Sequence, residues 1–292
     1  MLYKELLTPW LEDQRRFQKI STFANYANII HSHLLPDLGE SVVDDLNSQF
    51  IQEYVLRLLD SLSPSYVKGI LILIKTTLPH SIDIKLPYTP PKEIQIFERE
   101  SQIKMMNHLI TNELNPMNFG ILLTIHTGIR IGELCGLQWQ DFDLAGRTLT
   151  IRRTVSRVWV KGEGSKLIIR SPKSRSSLRT IPLNHWIMEY VGFLAGSPEA
   201  YILTGLPKPK EPDKYRRFYK RVLKELDIPY LKFHCLRHTF ATRSIECGCD
   251  YKSLSLILGH ANVSITMQLY VHPQMELKRK CVELLAAYYA DV

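Results

Sequence analysis

The chain has no hydrophobic run long enough to cross a bilayer. Its purest apolar stretch, GILILI at 69–74, is far shorter than the ~20 residues a spanning helix needs. The opening MLYKELLTPW contains no apolar core of a secretory signal. Cysteine is scarce and odd in number: Cys135, Cys235, Cys247, Cys249 and Cys281 do not form the paired framework of a secreted disulfide scaffold. A cytoplasmic protein with free thiols is therefore expected. A glycine-rich phosphate loop, an HExxH pair and zinc-finger spacing are all missing, as are internal repeats and low-complexity tracts. Acid is the minority charge, with 29 Asp and Glu against 37 Lys and Arg, a net charge of +8. That balance suits a polyanionic partner, or nothing more than mild basicity.

At 292 residues with 45% apolar content, the chain has room for two cored domains. Residues 1–78 read as helices. After a segment at about 3–17, Ser21 or Thr22 caps a helix carrying Phe23, Tyr26, Ile29 and Ile30 on one face, ending before Pro36 and Gly39. Asn47 opens another, with Ile51, Val55, Leu58 and Leu59 at helical spacing. Ser63-Pro64 is a cap followed by proline at the first helical position, leading into a stripe of Val67, Ile70, Leu71, Ile74 and Leu78. Together these predict a four-helix bundle over 1–90. Residues 79–97 hold four of the sixteen prolines (Pro79, Pro87, Pro90, Pro91) and read as an extended, semi-rigid linker.

The second domain, 95–292, begins with helices at about 98–110 and 117–126. Gly128 breaks the chain so that Arg130 starts the next helix. The stretch 148–160 alternates like a strand, 166–171 and 178–183 resemble two more, and SPKSRSS between them reads as a turn. Helices resume after Pro198, through 215–226 to a terminal segment at 275–290. The fold class is mainly α with a small antiparallel β-sheet.

Four residues near the end point to phosphate chemistry: His234 and Arg237, three apart on one helix face, then His260 and Tyr270. Arg130 and Arg237 are bidentate donors that could stabilise a pentacovalent phosphoryl transition state without metal. Glu133, one turn beyond Arg130, can orient it or a nearby imidazole. Tyr270 sits ten residues after the Gly259-His260 turn, in a segment capped by Ser264. As a nucleophile, its phenol needs neighbouring cations or an imidazole to lower or accept its proton. Lys173, crowded by Arg170, Arg175 and Arg179 in the turn, is placed to protonate a leaving oxygen. Taken singly, each has a plainer reading: ion-paired arginines, a core tyrosine, a basic surface loop. His234 and His238, near three cysteines, also raise zinc, which the spacing does not support; His238 reads as a packing residue. Lys19, Lys68 and Lys75 are candidate phosphate contacts, or simply solvated lysines.

The ordered set TGIRIGELCGLQW, SPKSRSSLRTIPL, His234-x-x-Arg237, Leu-Gly-His260 and Tyr270 resembles the tyrosine recombinases, or phage integrases. STFANYANIIHSHLLPDLG resembles that family's SAM-like core-binding domain. The resemblance implies a site-specific recombinase in which Tyr270 attacks the scissile phosphate to form a 3′-phosphotyrosyl bond. Arg130 and Arg237 would hold the non-bridging oxygens, and Lys173 would protonate the leaving 5′-oxygen. His234 would serve acid–base chemistry, His260 would bond the phosphate, Glu133 would support, and Arg175 would touch DNA. It further implies no cofactor, duplex DNA at specific sites as partner, a homotetramer at synapsis, room for an accessory directionality protein, and a nucleoid-associated location. The segment 275–290 resembles the one that packs on a neighbouring protomer. Because the chain begins almost directly at the core-binding helices, no arm-type DNA module is expected. The LGHANVSITMQLYVHP wording leans toward mobile-element integrases over Xer-like resolution. Two alternatives stay open, a catalytically silent DNA-binding regulator of the same fold and a type IB topoisomerase-like relaxing enzyme.

Overall fold

The structure, a computed structural model, describes residues 1–90, 93–111, 115–160, 164–171, 178–270 and five positions beyond 278. Lys173, Arg175, the turn at 172–177 and most of 275–290 lie outside the described residues. The chain divides into two compact units, Met1–Lys92 with Arg157–Ile168, and Glu93–Ser156 with Ile169–Val292.

The first unit is a helical bundle: α1 (Tyr3–Phe17), α2 (Ile20–Ile29), α3 (Leu35–Leu38), α4 (Ser48–Leu59) and α5 (Pro64–Thr77). The cap of α2 differs from expectation. Lys19 takes that position without a side-chain bond, and Ser21 and Thr22 fall inside the first turn. Nor does Pro36 end the helix. A π turn at Ile30–Leu34 joins α2 to α3. It widens the ladder just before a residue that has no N–H to give and whose ring would crowd a normal turn. Asn47 caps α4 as its position predicts, its side chain accepting the Phe50 N–H at 3.1 Å. The stripes meet in one core, where Tyr3, Ile30, Leu34, Ile51, Val55, Ile70 and Ile74 are essentially inaccessible. The described residues of the proline-rich stretch after α5 form no regular element, yet Ile82 and Ile84 are buried in this core. Gln52 pins the stretch by accepting the Lys85 N–H at 2.9 Å and donating to its carbonyl at 3.0 Å. Val158 belongs to the same core, and Ile168 packs against it.

In the second unit, α6 (Arg99–Thr111) and α7 (Pro116–Thr127) come first. Asn115 caps α7 by accepting the Met117 and Asn118 N–H groups, both at 3.0 Å. Phe119, Ile121, Leu122, Leu123 and Ile125 of α7 are all buried, the mark of a helix enclosed on every side. It packs against α6, α9 (His185–Leu194), α10 (Pro212–Glu225) and α11 (His234–Glu246), so its C-terminal end is a fixed point. Helix α9 went unrecognised in the sequence although Asn184 caps it, accepting the Ile187 N–H at 3.0 Å. The strand-like stretch 148–160 divides in two. β2 (Thr148–Ile151) lies between β1 (Phe142–Asp143) and β5 (Arg179–Pro182) in an antiparallel sheet, while β3 (Thr154–Val160) pairs with β4 (Gly164–Arg170), Arg157–Ile168 of that pair belonging to the first unit. At the break, Arg153 donates to the Gly136 carbonyl at 3.2 Å and to buried Asp141 at 2.6 Å. Helices α8 (Ile131–Gly136), α12 (Tyr251–Leu258) and α13 (Val263–Tyr270) complete the unit. No helix among the described residues is long and apolar enough to cross a membrane.

Candidate active site

Two left-handed glycines set the geometry. Gly128 (φ 64°) ends α7, and two residues later Arg130 occupies the cap position of α8. Gly259 (φ 66°) ends α12 and delivers His260 into the following turn. Side chains with a Cβ are strained in this backbone region, which glycine adopts freely.

The exposed carbonyls at the end of α12 have no partner within the helix and carry the negative end of its dipole. Three guanidiniums satisfy three successive ones. Arg179 donates from Nε to the Ile257 oxygen at 2.6 Å, Arg237 from Nη2 to Leu258 at 2.7 Å, and Arg130 from Nη2 to Gly259 at a long 3.4 Å. Arg237 also donates from Nη1 to the Gly128 oxygen at 2.9 Å, which ties the ends of α7 and α12 together. It is 1% exposed, whereas the Arg130 side chain keeps 37% of its surface open.

Glu133 lies between two of these arginines. Its Oε1 accepts from Arg130 Nη1 at 2.8 Å and from Arg179 Nη1 at 3.0 Å. Its Oε2 accepts from the Arg130 backbone N–H at 2.9 Å and from Arg179 Nη2 at 3.0 Å. Burial alone would push this carboxyl up. The Arg179 hydrogen bonds and charge, joined by Arg130, override that and hold it at about 2.

Two imidazoles stand beside the cations. His234 opens α11, where its ring meets His238 edge-on at 4.6 Å between centroids. Desolvation, then His238, Arg237 and Arg130, lower it to about 4. His260 shares a 2.8 Å hydrogen bond between Nδ1 and the hydroxyl of fully buried Thr266. Desolvation and the three arginines bring it to about 4 as well. At neutral pH both rings are uncharged, free to accept a proton or to donate an N–H.

The structure thus gathers Arg130, Glu133, His234, Arg237 and His260 into one cluster. Tyr270 closes α13, which packs on α11 and α12; its side chain, like all of Lys173, lies outside the described residues. The residue bonding the first turn of α13 is Asn262, whose side chain accepts the Ser264 N–H at 3.0 Å; Ser264 itself lies inside the helix. Among the described residues, no cluster of three or more His, Cys, Asp or Glu could hold a metal. Lys19, Lys68 and Lys75 are exposed on the first unit, with Lys68 and Lys75 two turns apart on α5 and so on one face. Two features were missed from sequence. One is Arg179, seen there only as company for Lys173. The other is the basic stripe Arg217, Lys220, Arg221 and Lys224, exposed along α10, whose spacing of three and four residues was visible.

Fold and cluster together make a two-unit protein whose second unit gathers three arginines and two imidazoles, a set suited to phosphate. Residues 97–276 match the phage integrase family, and residues 2–59 match the N-terminal SAM-like domain of phage integrases. The chain belongs to the phage integrase family and is a tyrosine site-specific recombinase. It is 28% identical to a XerC-like tyrosine recombinase of Caldanaerobacter subterraneus, over 96% of this chain and 82% of that one. It is 22% identical to the ICEBs1 integrase of Bacillus subtilis, over 97% and 83%. In fold it is similar to a Tn1549 transposon integrase in complex with transposon right-end DNA, with a TM-score of 0.78, 20% identity, and 98% and 100% of the two chains covered. A lambda integrase tetramer bound to a Holliday junction gives 0.62 at 16% identity, over 91% and 77%.

Proposed function

We propose that the cluster is the strand-transfer site and that its members divide the work as follows. Tyr270 Oη attacks the scissile phosphorus. A 3′-phosphotyrosyl bond forms, the bond to the 5′-oxygen breaks, and Lys173 gives that oxygen its proton. The phenolic proton passes to His234, which is neutral at physiological pH. Arg130 opposes the charge on the non-bridging oxygens from the open side and Arg237 from beneath, while His260 donates an N–H to the phosphate. Rejoining runs the steps backward with the 5′-hydroxyl of a partner strand, so the bond energy is conserved and neither nucleotide nor metal is needed.

The observation that carries this reading is the convergence of three arginines and two neutral imidazoles on the end of one helix. Buried, fixed cations stabilise developing charge without reorganising. Duplex DNA is the substrate, with Lys19, Lys68, Lys75, Arg175 and the α10 stripe as phosphate contacts. Synapsis in a tetramer is supported by the lambda integrase assembly on its junction. The integrative-element and transposon relatives favour service to a mobile element, with directionality set by an accessory protein on nucleoid DNA. The test is cleavage of a nicked duplex taken from the DNA flanking its own gene. Equal rates in EDTA and in Mg²⁺ are expected, and a requirement for Mg²⁺ would contradict the mechanism.

A further inference from the structure

Arg179 plays no part in the division of work above, yet it is bonded to two of the elements that carry the site. All three of its donor nitrogens are engaged: Nη1 and Nη2 with the two oxygens of Glu133, both at 3.0 Å, and Nε with the Ile257 carbonyl at 2.6 Å. Both side chains of the pair are 6% exposed. The residue lies at the start of β5, which pairs with β2 from Ile151↔Arg179 to Thr148↔Pro182, and α12 packs on that strand. A rigid sheet edge is therefore joined to both catalytic elements, to α8 through Glu133 and to α12 through Ile257.

We propose that Arg179 is a positioning residue for strand transfer, fixing the Arg130 guanidinium and the His260 turn in one register through Glu133 and the end of α12. This rests on the strand-transfer reading of the site. A lone Glu133 would be free to meet Arg130 in several rotamers. A fork-on-fork pair with Arg179 leaves the carboxylate one orientation, and Arg130 is bonded to that carboxylate through both its side chain and its backbone N–H. Arg179 also supplies the second positive charge that keeps Glu133 ionised at this depth. Without it, one buried carboxylate would face the partly open Arg130 alone. The Nε arm reaches the carbonyl two residues before the left-handed Gly259, so a loosened Arg179 frees the turn that carries His260. Such an effect acts on geometry at the phosphate and leaves the distant duplex contacts alone.

Arg179→Lys and Arg179→Gln test this. Lysine keeps the charge and loses the fork; glutamine loses both. Arg179→Lys is expected to melt within a few degrees of wild type and to bind duplex within about threefold. Its rate of covalent adduct formation should fall by at least tenfold at pH 7, since misplacement by about 1 Å can cost ~100-fold. The rate of Arg179→Gln should fall further as pH drops from 6 toward 5, because its Glu133 has lost the second cation and titrates at higher pH than in wild type. A lysine variant with the wild-type rate, or a glutamine variant with the wild-type pH profile, would overturn the proposal. So would a rate loss fully matched by lost affinity or lost folded protein. If wild type forms no adduct at all, the strand-transfer reading fails, and the role of Arg179 in that reaction fails with it. The placement itself is then read separately from the His260 titration by NMR. Arg179→Gln should move its midpoint upward, and an unmoved midpoint would show that Arg179 does not act on the turn.

Discussion

Arg237 and Arg130 are the same residue type put to different uses. Arg237 is sealed in and bonds to two backbone carbonyls, so Arg237→Ala should cost stability as well as rate. Each orphaned carbonyl is worth ~1–3 kcal/mol, measurable by urea unfolding. Arg130→Ala, at a partly open site, should unfold near wild type yet lose cleavage by ~100-fold or more, the loss seen when a fixed charged donor is removed. The two depressed imidazoles carry their own pH signature. Their folded values, about 4, lie below the ordinary 6.5. The unfolded chain therefore binds protons first, and the stability they contribute is present at neutral pH and lost as pH falls from 6.5 toward 4. Glu133 acts lower: its contribution is full above the ordinary 4.5 and is lost as pH falls from there toward about 2. A bound phosphate should raise both imidazole midpoints, read from their ring-proton shifts with and without duplex. At this scale the sequence showed which residue types matter, because His234, Arg237 and Glu133 stand at helical spacing from their partners. It hid the Arg179–Glu133 pair, since 46 residues separate them and only the β5 register brings them together.

At the scale of elements, the site depends on where helices stop. Gly259→Ala puts a Cβ in the left-handed region at a cost of ~1–2 kcal/mol and displaces His260. It should slow cleavage more than it lowers duplex affinity, the two being followed by adduct yield and by binding titration. Both glycine stops and the Asn47 cap were legible because they are local chemistry. The π turn before Pro36, the division of 148–160 into two strands and the capping of α13 by Asn262 were not. Those features answer to packing across the unit, such as the Arg153 bonds to Gly136 and Asp141, which no short window of sequence contains. Helix α9 was legible and overlooked: Asn184, then Ile187 and Val191 at a spacing of four, is an ordinary helix signal.

For the whole molecule, an excess of eight positive charges suits the duplex partner proposed above. Affinity should fall steeply with salt. Lys68→Gln with Lys75→Gln should flatten the slope of log K against log salt by about 0.9 for each DNA phosphate no longer neutralised. Helical stripes and the proline-rich stretch pointed to two cored units; that Arg157–Ile168 groups with the first of them was not visible there. The docking of that stretch onto the first core by Ile82, Ile84 and Gln52 was not, because proline density reports stiffness and says nothing of what the segment rests on. The central claim is that phosphate chemistry at the end of α12 runs through a phenolic oxygen supplied by α13. The most direct measurement is an SDS-stable protein–DNA adduct on a nicked duplex carrying the recombination site, compared between wild type and Tyr270→Phe. Wild type should yield the adduct and Tyr270→Phe none, with duplex affinity equal in the two. An adduct that survives the loss of this hydroxyl, or a wild type that never forms one, would contradict it.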